Sequence, residues 1–135
     1  MNDDRSTKQV IVLRKDLKMR KGKMVSQGAH SSGKVFFDRG KIETFGDGNK
    51  YLVIPLTDDM VTWVDNIFTK VCCGVDSEDE LLELYAKAKL LGLPCSLIQD
   101  IGLTEFDGVP TYTAISIGPA KNEEVDLITG HLKLL

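Results

Sequence analysis

An α/β three-layer sandwich, with a mixed, mostly parallel central sheet of about four strands and helices on both faces, is predicted by three features of this sequence. Short β-branched runs alternate with longer amphipathic stretches. The segments between successive runs are long enough to hold a helix and return the chain over the sheet. The 135 residues are 42% hydrophobic and contain no internal repeat, low-complexity tract or linker, which predicts one domain spanning residues 1–135 around one core.

Each element has its own reason. Gln9 to Leu13 (QVIVL) reads as a buried central strand running into the loop of Arg14, Lys15 and Asp16. From Lys21 to Phe37 the residues Met24, Val25, Gly28, Ala29, Val35 and Phe36 recur at helical intervals, so a long first helix is expected despite its small residues. Gly40 to Asn49 is turn-rich, and Tyr51 to Leu56 (YLVIPL) suggests an extra edge strand, where Pro55 is tolerated. Thr57 starts a helix with Met60, Val61, Val64 and Ile67 as its buried stripe and Trp63 nearby. Lys70 to Val75 (KVCCGV) is a second buried strand. Capping chemistry at Asp76 to Glu80 then opens an amphipathic helix that Gly92 ends. Pro94 to Gln99 (PCSLIQ) is a strand whose C-terminal end delivers Asp100, Gly102 and Thr104 into a loop. Thr111 to Ile117 is strand-like until Gly118-Pro119 breaks it, Glu123 to Ile128 is a short last helix, and Leu132 to Leu135 adds a strand or docks on the core.

Charge is distributed unevenly. Residues 1–41 hold eleven Lys/Arg against four Asp/Glu, and the remainder holds six against sixteen, so a basic front meets an acidic rear within a net charge of −3. A local positive field attracts a polyanion whatever the total charge, although a solvated helix face carries the same residues. No apolar run reaches the ~20 residues needed to cross a bilayer, and the polar start is not a secretory signal, which together predict a cytoplasmic protein. Cys72, Cys73 and Cys95 form neither a CxxC pair nor an even disulfide set and read as reduced core residues. GxGxxG, GxxxxGK[ST] and GxSxG are all missing, and His30 and His131 stand too far apart for a zinc cluster.

One constellation remains. Lys18, Arg20, Lys21 and Lys23 lead directly into Gln27 and His30, and a helix projects Lys23, Gln27 and His30 from a single face. The second half of the set, Asp100, Gly102 and Thr104, follows a later strand. Each residue also has a plain structural reading: a solvated lysine, a glutamine capping a loop, a hydrogen-bonded core histidine, a glycine in a tight turn.

The block K-G-K-x3-Q-x2-H at Lys21 to His30 resembles the peptidyl-tRNA hydrolase 2 family, the archaeal and eukaryotic type. Three further blocks in order resemble the same family: Ser96 to Thr104 (SLIQDIGLT), Thr113 to Pro119 (T-x3-I-G-P) and Thr129 to Leu134 (T-G-x-L-K-L). Together they cover nearly the whole chain. Gly28 stands where family members often carry a cysteine, Leu103 stands where a basic or polar residue is common, and a segment near 45–68 reads as an insertion into a shorter family connection.

The resemblance implies hydrolysis of the ester that joins a peptide to the 3′ end of tRNA, by activated water and with no metal or cofactor. It implies catalytic roles for Lys23, His30, Asp100 and Thr104, and substrate binding by Lys18, Arg20, Lys21, Gln27, Gly102 and Thr113. Asp100 would orient or deprotonate water, directly or through His30, while Lys23 faces the oxyanion or the 3′ phosphate. The expected partners are peptidyl-tRNA, held at its acceptor stem and CCA end, and a second copy of the chain as a homodimer; no membrane and no DNA are expected. A non-catalytic binding module of the same fold and an aminoacyl-tRNA deacylase are the alternative readings.

Overall fold

In the computed structural model, residues 3–102 and 105–135 are described. The elements run β1 (Thr7–Arg14), α1 (Lys21–Phe37), β2 (Lys41–Thr44), β3 (Lys50–Val53), α2 (Asp58–Asp65), β4 (Lys70–Val75), α3 (Glu78–Leu90), β5 (Cys95–Asp100), β6 (Thr111–Lys121) and α4 (Asn122–Thr129). The four-stranded sheet has the order β4-β1-β6-β5. Strands β1 and β4 pair in parallel, and β6 pairs antiparallel with both β1 and β5, so three strands share a direction and β6 runs against them.

Alternation along β1 divides the core. Val10 and Val12 face α3 and α4, packing with Leu81, Leu84, Ala88, Ile115, Ile117, Val125 and Ile128. Leu13 faces the opposite way, toward Met19, Ile98 and Ala114, with Ile11 and Met24 against them under α1. Burying each such aliphatic side chain is worth ~1.5–3 kcal/mol, and the sheet is thereby fixed between two helical layers. Ser77 caps α3 by accepting from Glu80 N at 3.1 Å, and Thr57 caps α2 by accepting from Met60 N at 3.1 Å.

Three expectations are corrected, and the alternatives for the C-terminal residues are resolved. Tyr51 to Leu56 does not extend the central sheet: β3 pairs with β2 in a separate two-stranded ribbon, and β2 occupies part of the turn-rich stretch. Along α2 the buried positions are Met60 and Trp63, with Asn66 just beyond, while Val61 and Val64 are exposed, because α2 is only two turns long and meets the body through one narrow edge. Strand β6 passes through Gly118-Pro119 to Lys121; Gly118 has φ +94°, and a Cβ there would lie 2.5 Å from Lys8 O, so glycine carries the strand through a bend. The C-terminal residues dock on the outer edge of β4, where Leu135 N donates to Cys72 O at 3.0 Å and Gly74 N to Lys133 O at 3.2 Å.

Candidate active site

The C-terminal ends of β1 and β5 point the same way, and the N-terminus of α1 lies over them. Lys23, in the first turn of α1, donates from Nζ to Asp100 Oδ1 at 2.9 Å, with the side chains only 14% and 13% exposed. The other Asp100 oxygen accepts from Gly102 N at 2.8 Å. Gln27, one turn after Lys23, donates from Nε2 to Asp100 Oδ1 at 3.3 Å, and its Oε1 accepts a short hydrogen bond from Thr113 Oγ1. A carboxylate offers about four acceptor positions, and these three donors leave room for a water or substrate hydroxyl.

The sheet register explains how Thr113 reaches α1. Ile98 is opposite Ala114 but Gln99 is opposite Tyr112, so Thr113 is the extra residue of a β-bulge. Simple alternation would place Thr113 with Ile115 and Ile117 toward α3; the bulge re-aims it toward Gln27 while Tyr112 packs into the α3 core. Ser31 anchors the next turn of α1, bonded to Ser116 Oγ at 2.7 Å, while Ser96 Oγ donates to Ser31 O at 2.6 Å. This buried polar seam sets the helix at a fixed height above β5 and β6, because sliding it would strand several buried polar atoms.

The loop after β5 is tied by Gly102, whose O accepts from Gly108 N at 2.8 Å. Its φ is +84°, and a Cβ would fall 2.6 Å from Val109 O, so glycine is needed for the backbone to close on itself. Phe106 from the same loop lies under Lys23, with the ammonium 5.6 Å from the ring centroid. The hydrogen bond from Lys23 holds the Asp100 carboxyl below the usual carboxylate range, helped by Gly102 N–H and Gln27 against the opposing effect of burial.

Of the residues singled out in the sequence, Lys23, Gln27, Asp100, Gly102 and Thr113 converge. Gln27 and Thr113, read from the sequence as substrate contacts, are 2% and 0% exposed and spend their polar atoms on each other and on Asp100. His30 is exposed and makes no side-chain hydrogen bond or ion pair among the described residues; it lines a groove beside α1 with Lys34 and Gln99. Lys18 and Lys21 are exposed, Lys21 lining a separate pocket with Met24 and Cys72, and Arg20 reaches across to Glu105 at 2.7 Å. Arg20, Gly22, Lys23, Ser26 and Glu105 line a polar cleft of about 510 Å³. Thr104 lies outside the described residues. Glu105 and Phe106 were not anticipated, since one acidic and one aromatic residue in a loop carry no distinctive spacing. Among the described residues no group of three or more His, Cys, Asp or Glu is placed to hold a metal, and no helix is long and apolar enough to cross a membrane.

The family model described as peptidyl-tRNA hydrolase PTH2 matches residues 7–135. The chain belongs to that family. Relatives named peptidyl-tRNA hydrolase include one from Methanocaldococcus jannaschii, 44% identical over 128 residues, covering 95% of this chain and 99% of the relative. Another, from Thermococcus onnurineus, is 41% identical over 130 residues, covering 95% and 97% respectively. A solved structure of a protein of unknown function from Agrobacterium strain C58 aligns with TM-score 0.57 at 17% identity, over 96% of this chain and 98% of that one; that likeness concerns the fold alone. In this peptidyl-tRNA hydrolase family member, the matched residues include every side chain of the Lys23, Gln27, Asp100 and Thr113 network.

Proposed function

We propose that this peptidyl-tRNA hydrolase cleaves the peptide ester at the 3′ end of tRNA with water held by Asp100 and with Lys23 facing the developing oxyanion. The reaction adds one water: its oxygen bonds to the ester carbonyl carbon, the bond to the ribose 3′ oxygen breaks, and that oxygen leaves with a proton. The observation that carries the reading is the Lys23–Asp100 pair at 2.9 Å, buried at the base of α1 and steadied by Gln27 and Gly102. A paired carboxylate is a good acceptor for orienting water but a weak base. As negative charge grows on the carbonyl oxygen, the ammonium is drawn toward it, and the carboxylate loses part of what suppressed its basicity just when the water proton needs an acceptor. The proton is thus routed to Asp100 and not through His30, whose ring is bonded to neither partner. Gln27 and Thr113 act as positioning residues, and Thr104 retains the substrate-holding hydroxyl role implied by the family resemblance.

Arg20 lines the cleft, and the exposed Lys18 and Lys21 flank it in sequence, so these three cations would grip phosphates of the acceptor stem and CCA end without reading sequence. Such an enzyme works in the cytoplasm, freeing tRNA from peptidyl-tRNA shed by stalled ribosomes, and acts as a homodimer. N-acetyl-aminoacyl-tRNA is the test substrate. Asp100→Asn and Lys23→Ala are each expected to lower kcat by about 10²–10³ while keeping the native circular dichroism spectrum, with a lowered melting temperature because each leaves the other partner of the pair uncompensated. Full turnover in either variant rejects that residue's role, and equal turnover of free-amine aminoacyl-tRNA would favour a deacylase.

A further inference from the structure

The two edges of the central sheet are treated differently. The edge of β4 is covered by the C-terminal residues, which bond to Cys72 and Gly74. At the other side β5 pairs inward with β6, and no strand among the described residues pairs with its outer edge. The register shows what that edge presents. Gly118 N donates to Pro94 O at 2.8 Å, so this opposed pair bonds inward, and antiparallel alternation turns the N–H and C=O of Cys95 and Leu97 outward. No backbone group outside the sheet bonds to them among the described residues. Exposed strand edges are ordinarily blunted or covered. This one opens instead on a groove of about 650 Å³, walled by Ala29 and Gly33 of α1 and by Leu97, Ile98 and Gln99 of β5. The same strand ends at Asp100, the partner of Lys23. An extended peptide laid along the edge in the direction of β5 therefore brings its C-terminal carbonyl to the pair, whereas the opposite direction would bring its N-terminus.

We propose that the outer edge of β5 is the subsite for the peptide of the substrate, which joins the sheet as a parallel strand held by main-chain hydrogen bonds to Leu97 and its neighbours. The inference rests on the hydrolase reading above and names what that site holds on the acyl side of the ester. A strand edge offers donors and acceptors in alternation at the ~3.3 Å per residue of an extended chain. A peptide main chain repeats that pattern, and an RNA backbone, whose phosphates only accept, does not. Strand addition draws its affinity from the main chain, so this subsite is indifferent to the peptide's side chains. It also separates a peptide from a single amino acid, which brings an ammonium and no amide to the edge. Leu97 to Asp100 spans ~10 Å, room for about three peptide residues before the ester reaches Lys23 and Asp100.

Hydrolysis of tRNA carrying N-acetylated alanine chains of one to five residues tests this. The value of kcat/KM is expected to rise about tenfold between one and three residues, the worth of one or two added hydrogen bonds, and to level off beyond. Peptides with lysine or glutamate in place of the outer alanines should gain equally, and N-methylation of the second and third amides from the ester should remove most of the gain. Ala29→Trp, which fills the groove from an exposed position of α1, should abolish the dependence on length and leave turnover of N-acetyl-alanyl-tRNA at the wild-type rate. A gain that survives N-methylation, or one that survives Ala29→Trp, overturns the proposal. Turnover of N-acetyl-alanyl-tRNA with no dependence on length would end this inference and leave the hydrolase reading standing. Amide chemical shifts on adding free N-acetyl-tetra-alanine decide the question without turnover: shifts centred on Cys95 to Gln99 support the subsite, and shifts confined to other elements reject it.

Discussion

Asp100 accepts three hydrogen bonds, and the order of their effects says what each partner does. Lys23 is the strongest in holding the carboxyl ionised and Gln27 the weakest, so removing the amide's support should alter the titration without abolishing activity. Thr113 offers that manipulation, since its hydroxyl fixes which end of the Gln27 amide faces Asp100. Because folding lowers the Asp100 pKa, the ionised form persists below the usual carboxylate range, and its stabilising pair is lost only as pH falls through that lowered value. The wild-type rate should therefore stay level into weakly acid solution. Thr113→Val should lower kcat about tenfold at nearly constant KM, leaving a buried acceptor that costs ~1–3 kcal/mol, and should move the acid limb of the pH–rate profile upward; Thr113→Ser should restore it. A Thr113→Val enzyme with the wild-type limb would show a purely structural role. The sequence marked Thr113, but its part was hidden, because alternation along Thr111 to Ile117 places it on the face that the bulge takes it away from.

At the scale of elements, the site depends on a loop in which Gly102 makes a close backbone contact. Gly102 sits at φ +84° against the backbone of Val109, with its amide on Asp100 and its carbonyl on Gly108. Gly102→Ala should open this closure, reducing kcat/KM by about 10²-fold through misplacement of the carboxylate while the melting temperature changes by only a few degrees, because the loop lies outside both core clusters apart from Phe106. Steady-state kinetics alongside thermal unfolding distinguishes the two effects, and a collapse of both would place Gly102 in the fold's foundation. The extents of α1 and α3 were legible because their apolar residues recur over several turns, and for α3 because its start carries a capping signal. Helix α2 was read less well: over two turns, four apolar residues compete for one narrow edge, and only contact with the body selects Met60 and Trp63.

Across the whole molecule, the proposed grip on RNA has to work in a chain of net charge −3 whose Lys and Arg residues are concentrated in residues 1–41. Lys18, Arg20 and Lys21 are exposed just before and at the start of α1, with Arg20 lining the cleft, while acidic residues crowd α3 and α4. Screening acts on the local field, so KM for peptidyl-tRNA should rise steeply with salt, with a log–log slope of about two to three if three cations each neutralise a phosphate; kcat should hardly change. Titration of KM against potassium chloride measures the slope, and a flat response would exclude these cations as the tRNA grip. What the sequence determined by itself was the alternation of strands and helices, the basic lead into α1, and the ordered blocks that mark the family, since these are written in local periodicity and composition. What only the tertiary structure decided was the pairing of Lys23 with Asp100 across 77 positions, the turning of Thr113 by a bulge, and the detachment of the β2–β3 ribbon from the central sheet. Each of these depends on strand register and on which surfaces meet in space, and local propensity encodes neither.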